Sequence, residues 1–342
     1  MSLLTLAGAS ILVLCIIALS VWRRSSQPAP TRGARGITKP HLAQTRTPIK
    51  HVIFIVKENR TFDNYFARYP GADGTTTGVT STGQTVPLSI AADVLKPDLG
   101  HDFLAGVVAV DGGRMDAFDR VSNGQSLAGY SSFTRQGIPN YWAYADHFAL
   151  SDRMFSSVYG PTFPNHLFTV AAQAGRVTQN KLTIAKPGVG YCDDPAERTY
   201  RFIHLDPAQR TKVMMAEHAG DVTSIRALWE KVTPCFDFRV LPDELNKKHL
   251  SWRYYDENGS WFNALLAIRH MRYSKYWAPN VQPRSRFVPD LKGGSLPDVT
   301  WVIPPTGYND HPGGPSVCMG ENWAVRTINA MMNSPYWKNT VI

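Results

Sequence analysis

The run HVIFIV at residues 51–56 is continuously apolar rather than alternating, and such a run is stable as a strand only when both of its faces are covered. It calls for a buried parallel sheet with helices above and below. DVTWVIP at 298–304 is a second run of this kind, and NTVI at 339–342 begins a third. Between them lie patterns of helical period: IPNYWAYADHF, FPNHLFTVAAQAG, TSIRALWEKV and NWAVRTINAMMNSPYW. Strands interleaved with helices, and no internal repeat, predict an open α/β sheet. In such sheets the binding crevice lies beyond the carboxyl ends of the strands.

The chain has 342 residues, 43% of them hydrophobic and 18% charged, enough for one large α/β domain or two smaller ones. Its N-terminus stands apart. Residues 3–22 carry no charge over 20 positions, about the length that spans a bilayer, and read as a signal peptide or signal anchor. The absence of a small-x-small cleavage site favours the anchor. Residues 23–48 form a basic, Pro-containing linker, and the body begins at 49. Between Val21 and Lys50 there are seven basic residues and no acid; removing them from 36 leaves 29 Lys plus Arg against 27 Asp plus Glu. The body is thus nearly neutral, the pI of 9.4 belongs to the tail, and no nucleic-acid partner is expected. Membrane association through the N-terminus and an extracytoplasmic location, periplasm or cell surface, are expected. Arg23 and Arg24 behind the apolar run pull the other way by the positive-inside rule.

Glu58 and Asn59 in VKENRTFDNYF follow the first apolar run by two or three residues. A carboxylate beside a carboxamide at a strand end suits a divalent cation, and equally suits a plain turn. In YGPTFPNHLF, Thr162 stands directly before a helix with Pro164 in its first turn. As a cap it would be purely structural. The same helix start is also a site for a phosphate, and a hydroxyl held there on a metal becomes a nucleophile. Besides Cys15, the chain has Cys192, Cys235 and Cys318 without C-x-x-C spacing. These allow one disulfide with a thiol left over, or three buried thiols.

ENRTFDNYF together with GPTFPNHLF, supported by LGHDF, DGGRMDAF, LSDRMFSSV, SWRYY and NDHPGG, resembles the phosphoesterase family of bacterial phospholipases C, plant non-specific phospholipases C and related acid phosphatases. The resemblance runs from about Ile49 to the end. It implies an alkaline-phosphatase-like fold, a three-layer α/β/α sandwich with a mostly parallel sheet. It further implies a divalent metal ion of unspecified identity, held by Glu58, Asn59 and Thr162. Thr162 looks like the nucleophile that forms a phosphoenzyme, Asn165 like a contact to phosphate oxygen, and His101 and His311 like the histidines that steady the phosphate or protonate the leaving group. His166 stands where many relatives carry Arg, and Asp310 lies where it would orient His311 or cap a turn; both are placed with the substrate-binding residues.

The family's strand at this end leads into two adjacent aspartates that complete the metal site, and the sequence stops at Ile342 inside that strand. The reading is therefore of a phosphoesterase domain over 49–342 with its C-terminal part missing. Asp193 and Asp194 in GYCDDP read as turn residues rather than as replacements. A sulfatase is excluded, since no Cys or Ser lies in a C/S-x-P-x-R context. The expected activity is hydrolysis of a phospholipid or small phosphate ester in the manner of phospholipase C. The alternatives are an acid phosphatase of the same fold and a non-catalytic remnant.

Overall fold

A computed structural model describes residues 47–182, 190–257 and 262–342, all within one compact unit, Thr45–Ile342. The 3–22 segment and most of the linker lie outside the described residues. The centre is a five-stranded parallel sheet of β1 (His51–Ile55), β2 (Trp252–Tyr255), β3 (Val281–Gln282), β4 (Val299–Val302) and β5 (Thr340–Val341), in the spatial order β5-β1-β4-β2-β3. β1 pairs with β4 from Val52↔Val299 to Ile55↔Val302. All three strands expected from apolar runs are present. SWRYY supplies β2, which its Arg253 disguised; that guanidinium turns aside to Asp290 at 2.8 Å.

Alternate strand residues face opposite sides of the sheet, so each side builds its own core. Trp252, Tyr254 and Trp301 pack on one side with Phe163, Leu167 and Val170 of helix α4 (Thr162–Ala171). Ile53, Tyr255 and Val302 pack on the other with Phe287, Leu291 and Met331, the last on helix α5 (Val317–Met332). The result is the expected helix–sheet–helix sandwich. One element departs from expectation: TSIRALWEKV shares only its first four residues with a short helix, Val222–Arg226, then becomes the strand Trp229–Val232, antiparallel to Thr199–Phe202. Trp229 lies edge-on to Phe103 at 5.9 Å and to Phe202 at 6.2 Å, a tertiary environment that overrides the helical period.

Three further helices are α1 (Phe62–Phe66), α2 (Phe103–Val110) and α3 (Pro139–His147). α1 and α2 are capped by Thr61 and Asp102, whose side chains accept from Asn64 N and Ala105 N. α3 has no cap of its own. Buried Glu321 of α5 accepts from Asn140 N at 2.7 Å and Tyr141 N at 2.9 Å, and so takes up the free amides of α3.

The segment outside the sheet is held by covalent and ionic links. Cys192 and Cys235 form a disulfide, while Cys318 is free and exposed. Asp194 accepts from Ala196 N within the turn, whereas Asp193 is paired with distant Arg272 at 2.9 Å and ties the turn to another part of the chain. His270 Nδ1 is 2.6 Å from Asp237 and its Nε2 is 3.0 Å from Asp243, which also accepts from Val240 N. Partial burial disfavours the charged imidazole, but the two carboxylates outweigh it and raise the His270 pKa. The stabilisation is then full below the unfolded value of about 6.5 and is lost as pH rises through the raised folded value. His270→Gln should therefore lower the urea midpoint at about pH 6, and the gap to the parent protein should close by about pH 9. A gap independent of pH would mean that His270 acts by packing alone.

Candidate active site

β1 and β4 end side by side, and the loops that leave them are bonded: Glu58 N donates to Asn309 O at 2.7 Å. Asn59 adopts a left-handed backbone, φ 56°, a conformation that asparagine tolerates better than most residues. Glu58 is only 5% exposed, and an ionised carboxylate at that depth must be paired. Its Oε1 accepts from His166 Nε2 at 2.7 Å, and its Oε2 from Thr162 Oγ1 at 3.2 Å. His166 Nδ1 in turn donates to Phe262 O at 3.1 Å. Burial alone would push Glu58 up and His166 down. Their mutual hydrogen bond and charge prevail, leaving the carboxyl lowered and the imidazole raised, an ion pair.

Thr162 is the first helical residue of α4, with Pro161 before it in the cap position. The expectation that Thr162 stands before the helix is thus corrected by one position. The shift matters, because a capping hydroxyl would be turned onto the helix, whereas Thr162 Oγ1 donates to Glu58. Among the following amides, Phe163 N donates to Asn180 Oδ1 at 2.9 Å, and Pro164 has none. Asn165 Nδ2 donates to Val158 O at 3.3 Å and Pro161 O at 3.1 Å, which ties the incoming loop to the helix. Gly160 explains the tight approach of that loop: a Cβ there would stand 1.9 Å from His101 O and 2.9 Å from His101 C. The backbone that leads into Thr162 rests directly on the backbone of His101.

The two histidines complete the opposite wall. Asn59 Nδ2 donates to His101 Nε2 at 2.9 Å, and the His101 and His311 rings meet edge to face at 5.3 Å. His101 Nδ1 donates to Leu99 O at 2.6 Å and His311 Nδ1 to Pro312 O at 2.5 Å. Asp98 lies between them, 3.6 Å from His101 Nδ1 and 3.9 Å from His311 Nδ1. Its buried Oδ1 has no hydrogen-bond partner among the described residues. Asp98 escaped the sequence reading, although it stands three positions before His101 in PDLGHDF.

Asp310, expected among the substrate contacts, is instead turned into the protein. Its side chain is fully buried; Tyr65 and Tyr141 donate to Oδ2 at 2.8 and 3.1 Å, and Lys57 Nζ lies 3.0 Å from Oδ1. Burial pushes Asp310 up and Lys57 down, each opposed by the other's charge. This carboxylate neither faces His311 nor opens to the cleft.

The structure thus gathers Glu58, Thr162 and His166 on one side and Asn59, His101 and His311 on the other, with Asn165 beneath the loop and Asp310 behind it. Glu58 Oε2 and Thr162 Oγ1, 3.2 Å apart, have a separation that one divalent cation can share. Asp98, His101 and His311 form a second group within reach of a cation, with ligand atoms no more than 4.8 Å apart. A cleft at the other end of α4, lined by Phe168, Val170, Arg239 and Leu241, contains none of these side chains.

The model of the Phosphoesterase family matches residues 49–342. The hemolytic phospholipase C of Pseudomonas aeruginosa is 24% identical over 363 residues, covering 92% of this chain and 44% of that protein. Non-specific phospholipase C6 of Arabidopsis thaliana is 27% identical, covering 90% and 55%. Phospholipase C A of Mycobacterium tuberculosis is 22% identical, covering 86% and 57%. The chain spans about half the length of the curated relatives it matches.

Gly160→Ala is expected to lower stability by about 1–3 kcal/mol, because the obstructing atoms are backbone and cannot swing away. Urea unfolding of the variant checks this, and an unchanged midpoint would show that the loop can lift from His101 at no cost.

Proposed function

The chain belongs to the Phosphoesterase family, and from that footing we propose that it hydrolyses phosphate esters in the manner of a phospholipase C, with Thr162 as nucleophile. The observation that carries the reading is the contact of the Thr162 hydroxyl with the ionised Glu58 carboxylate at the start of α4. The phospholipase C names of the relatives support the substrate class.

Thr162 Oγ attacks phosphorus in line as the ester oxygen departs, so one P–O bond forms while another breaks. The hydroxyl proton passes to Glu58, whose charge is held by His166, and returns to Thr162 Oγ when water cleaves the phosphothreonine. His311, oriented by Pro312 O at its Nδ1, gives a proton from Nε2 to the departing oxygen, while His101, fixed by Asn59 at Nε2 and by Leu99 O at Nδ1, braces the His311 ring. Attack of water on the phosphothreonine then returns the enzyme. Glu58, Asn59 and Thr162 are the residues that would hold a divalent metal ion. Such an ion, when bound, would offset the negative charge on the threonine oxygen and the phosphoryl group.

We further propose that residues 1–22 act as signal peptide or anchor, that 23–48 are a linker, and that the 49–342 domain works outside the cytoplasm at a membrane. The Cys192–Cys235 disulfide supports an oxidising compartment.

Thr162→Ala should reduce turnover of p-nitrophenyl phosphorylcholine by at least about a thousandfold with an unchanged unfolding midpoint. Retained turnover in the purified variant would dismiss Thr162 as nucleophile. Faster parent turnover of p-nitrophenyl phosphate than of the phosphorylcholine ester would make the protein a phosphomonoesterase. No turnover of either would remove the catalytic reading.

A further inference from the structure

Lys57 and Asp310 each stand next in the chain to a residue of the proposed site: Lys57 precedes Glu58, and Asp310 precedes His311. In an extended segment neighbouring side chains point to opposite sides, so while Glu58 faces Thr162 and His166, Lys57 reaches to the far side. There its ammonium donates to Tyr308 O and to Gly320 O at 3.0 Å, and its charge lies 3.0 Å from Asp310 Oδ1 as an ion pair. Asp310 Oδ2 takes the phenols of Tyr65 and Tyr141. Arg60 Nε also donates to Asp310 O at 3.0 Å. α5 comes close enough for this only because its residue 320 is glycine; a Cβ would stand 1.7 Å from Asp310 Oδ1 and 2.9 Å from Lys57 Nζ.

We propose that the buried Lys57–Asp310 pair is a positioning device that fixes the arm carrying Glu58 and Asn59 against the arm carrying His311. A buried ion pair is a poor source of net stability, because desolvation cancels most of the attraction and apolar side chains of similar volume serve as well or better. What apolar side chains lack is direction. Lys57 and Asp310, bound to each other and to α1, α3 and α5, admit one separation of the two loops, and a catalytic constellation needs its members held to within a fraction of an ångström. The pair touches no substrate and acts through its neighbours.

The activity arm of the test rests on the function proposed above; the structural arm does not. Lys57→Met and Asp310→Asn are prepared in the full chain, and cooperative unfolding identifies the folded variants. In crystal structures of the folded variants, the Glu58 carboxylate and His311 ring are expected to move apart or together by about 1 Å while β1 and β4 superpose. On p-nitrophenyl phosphorylcholine, kcat should fall at least about tenfold with KM changed less than about threefold, and Mn2+ affinity by titration should weaken about tenfold. A simple loss of stability would move neither kcat per folded molecule nor Mn2+ affinity. Folded variants with Glu58 and His311 in their original places overturn the proposal, as does failure of both variants to fold, which would make the pair a requirement of folding. A parent protein that is inactive, alongside displaced Glu58 and His311 in the variants, would sink the catalytic reading and leave the positioning role standing.

Discussion

The buried charge of Glu58 is the constraint around which the site is arranged. A carboxylate placed behind the end of a parallel strand cannot stay ionised without partners, and the fold brings it two from one helix. His166 and Thr162 lie four residues apart on α4, about one turn, so both reach the same group. The histidine supplies the opposite charge that keeps Glu58 ionised. The threonine is then left facing a carboxylate, which draws on its proton. Remove that charge, and His166 and Thr162 lose the feature that orients them.

The rest of the molecule places α4 and the two loops. Parallel pairing of β1 with β4 sets the loops side by side, and the aromatic packing of Trp252, Tyr254 and Trp301 seats α4 against the same sheet. Gly160 then lets the loop before Thr162 lie on the backbone of His101. The contact is backbone to backbone, so the spacing between the two segments does not depend on a rotamer. Glu321 holds α3 by its amides, and α3 presents Tyr141 to Asp310.

How much of this could be read in the sequence follows from the range of the forces involved. β1, β4 and β5 were legible because burial on both faces leaves a continuous apolar run. β2 was not, since Arg253 breaks the run and its partner Asp290 lies far along the chain. The strand at Trp229 was hidden by a local helical period that Phe103 and Phe202 override. ENRTF and GPTFPNHLF marked where the chemistry gathers, because adjacent unusual residue types survive in one dimension. The direction of a side chain does not survive in this way. Nothing near Asp310 shows that it turns to Tyr65 and Lys57, which are separated from it by about a quarter of a thousand positions, and nothing near His166 announces Glu58.

The contacts of the site have an unusual span along the chain: Glu58 to Thr162 is 104 residues, Tyr65 to Asp310 is 245, and Lys57 to Tyr308 is 251. Each such contact closes a large loop, and closing large loops is slow. During synthesis the segment bearing Glu58 emerges well before the one bearing His311, so the cleft cannot exist on a partly made chain. Its geometry is available only once β1 and β4 have paired and brought the loops that follow them together.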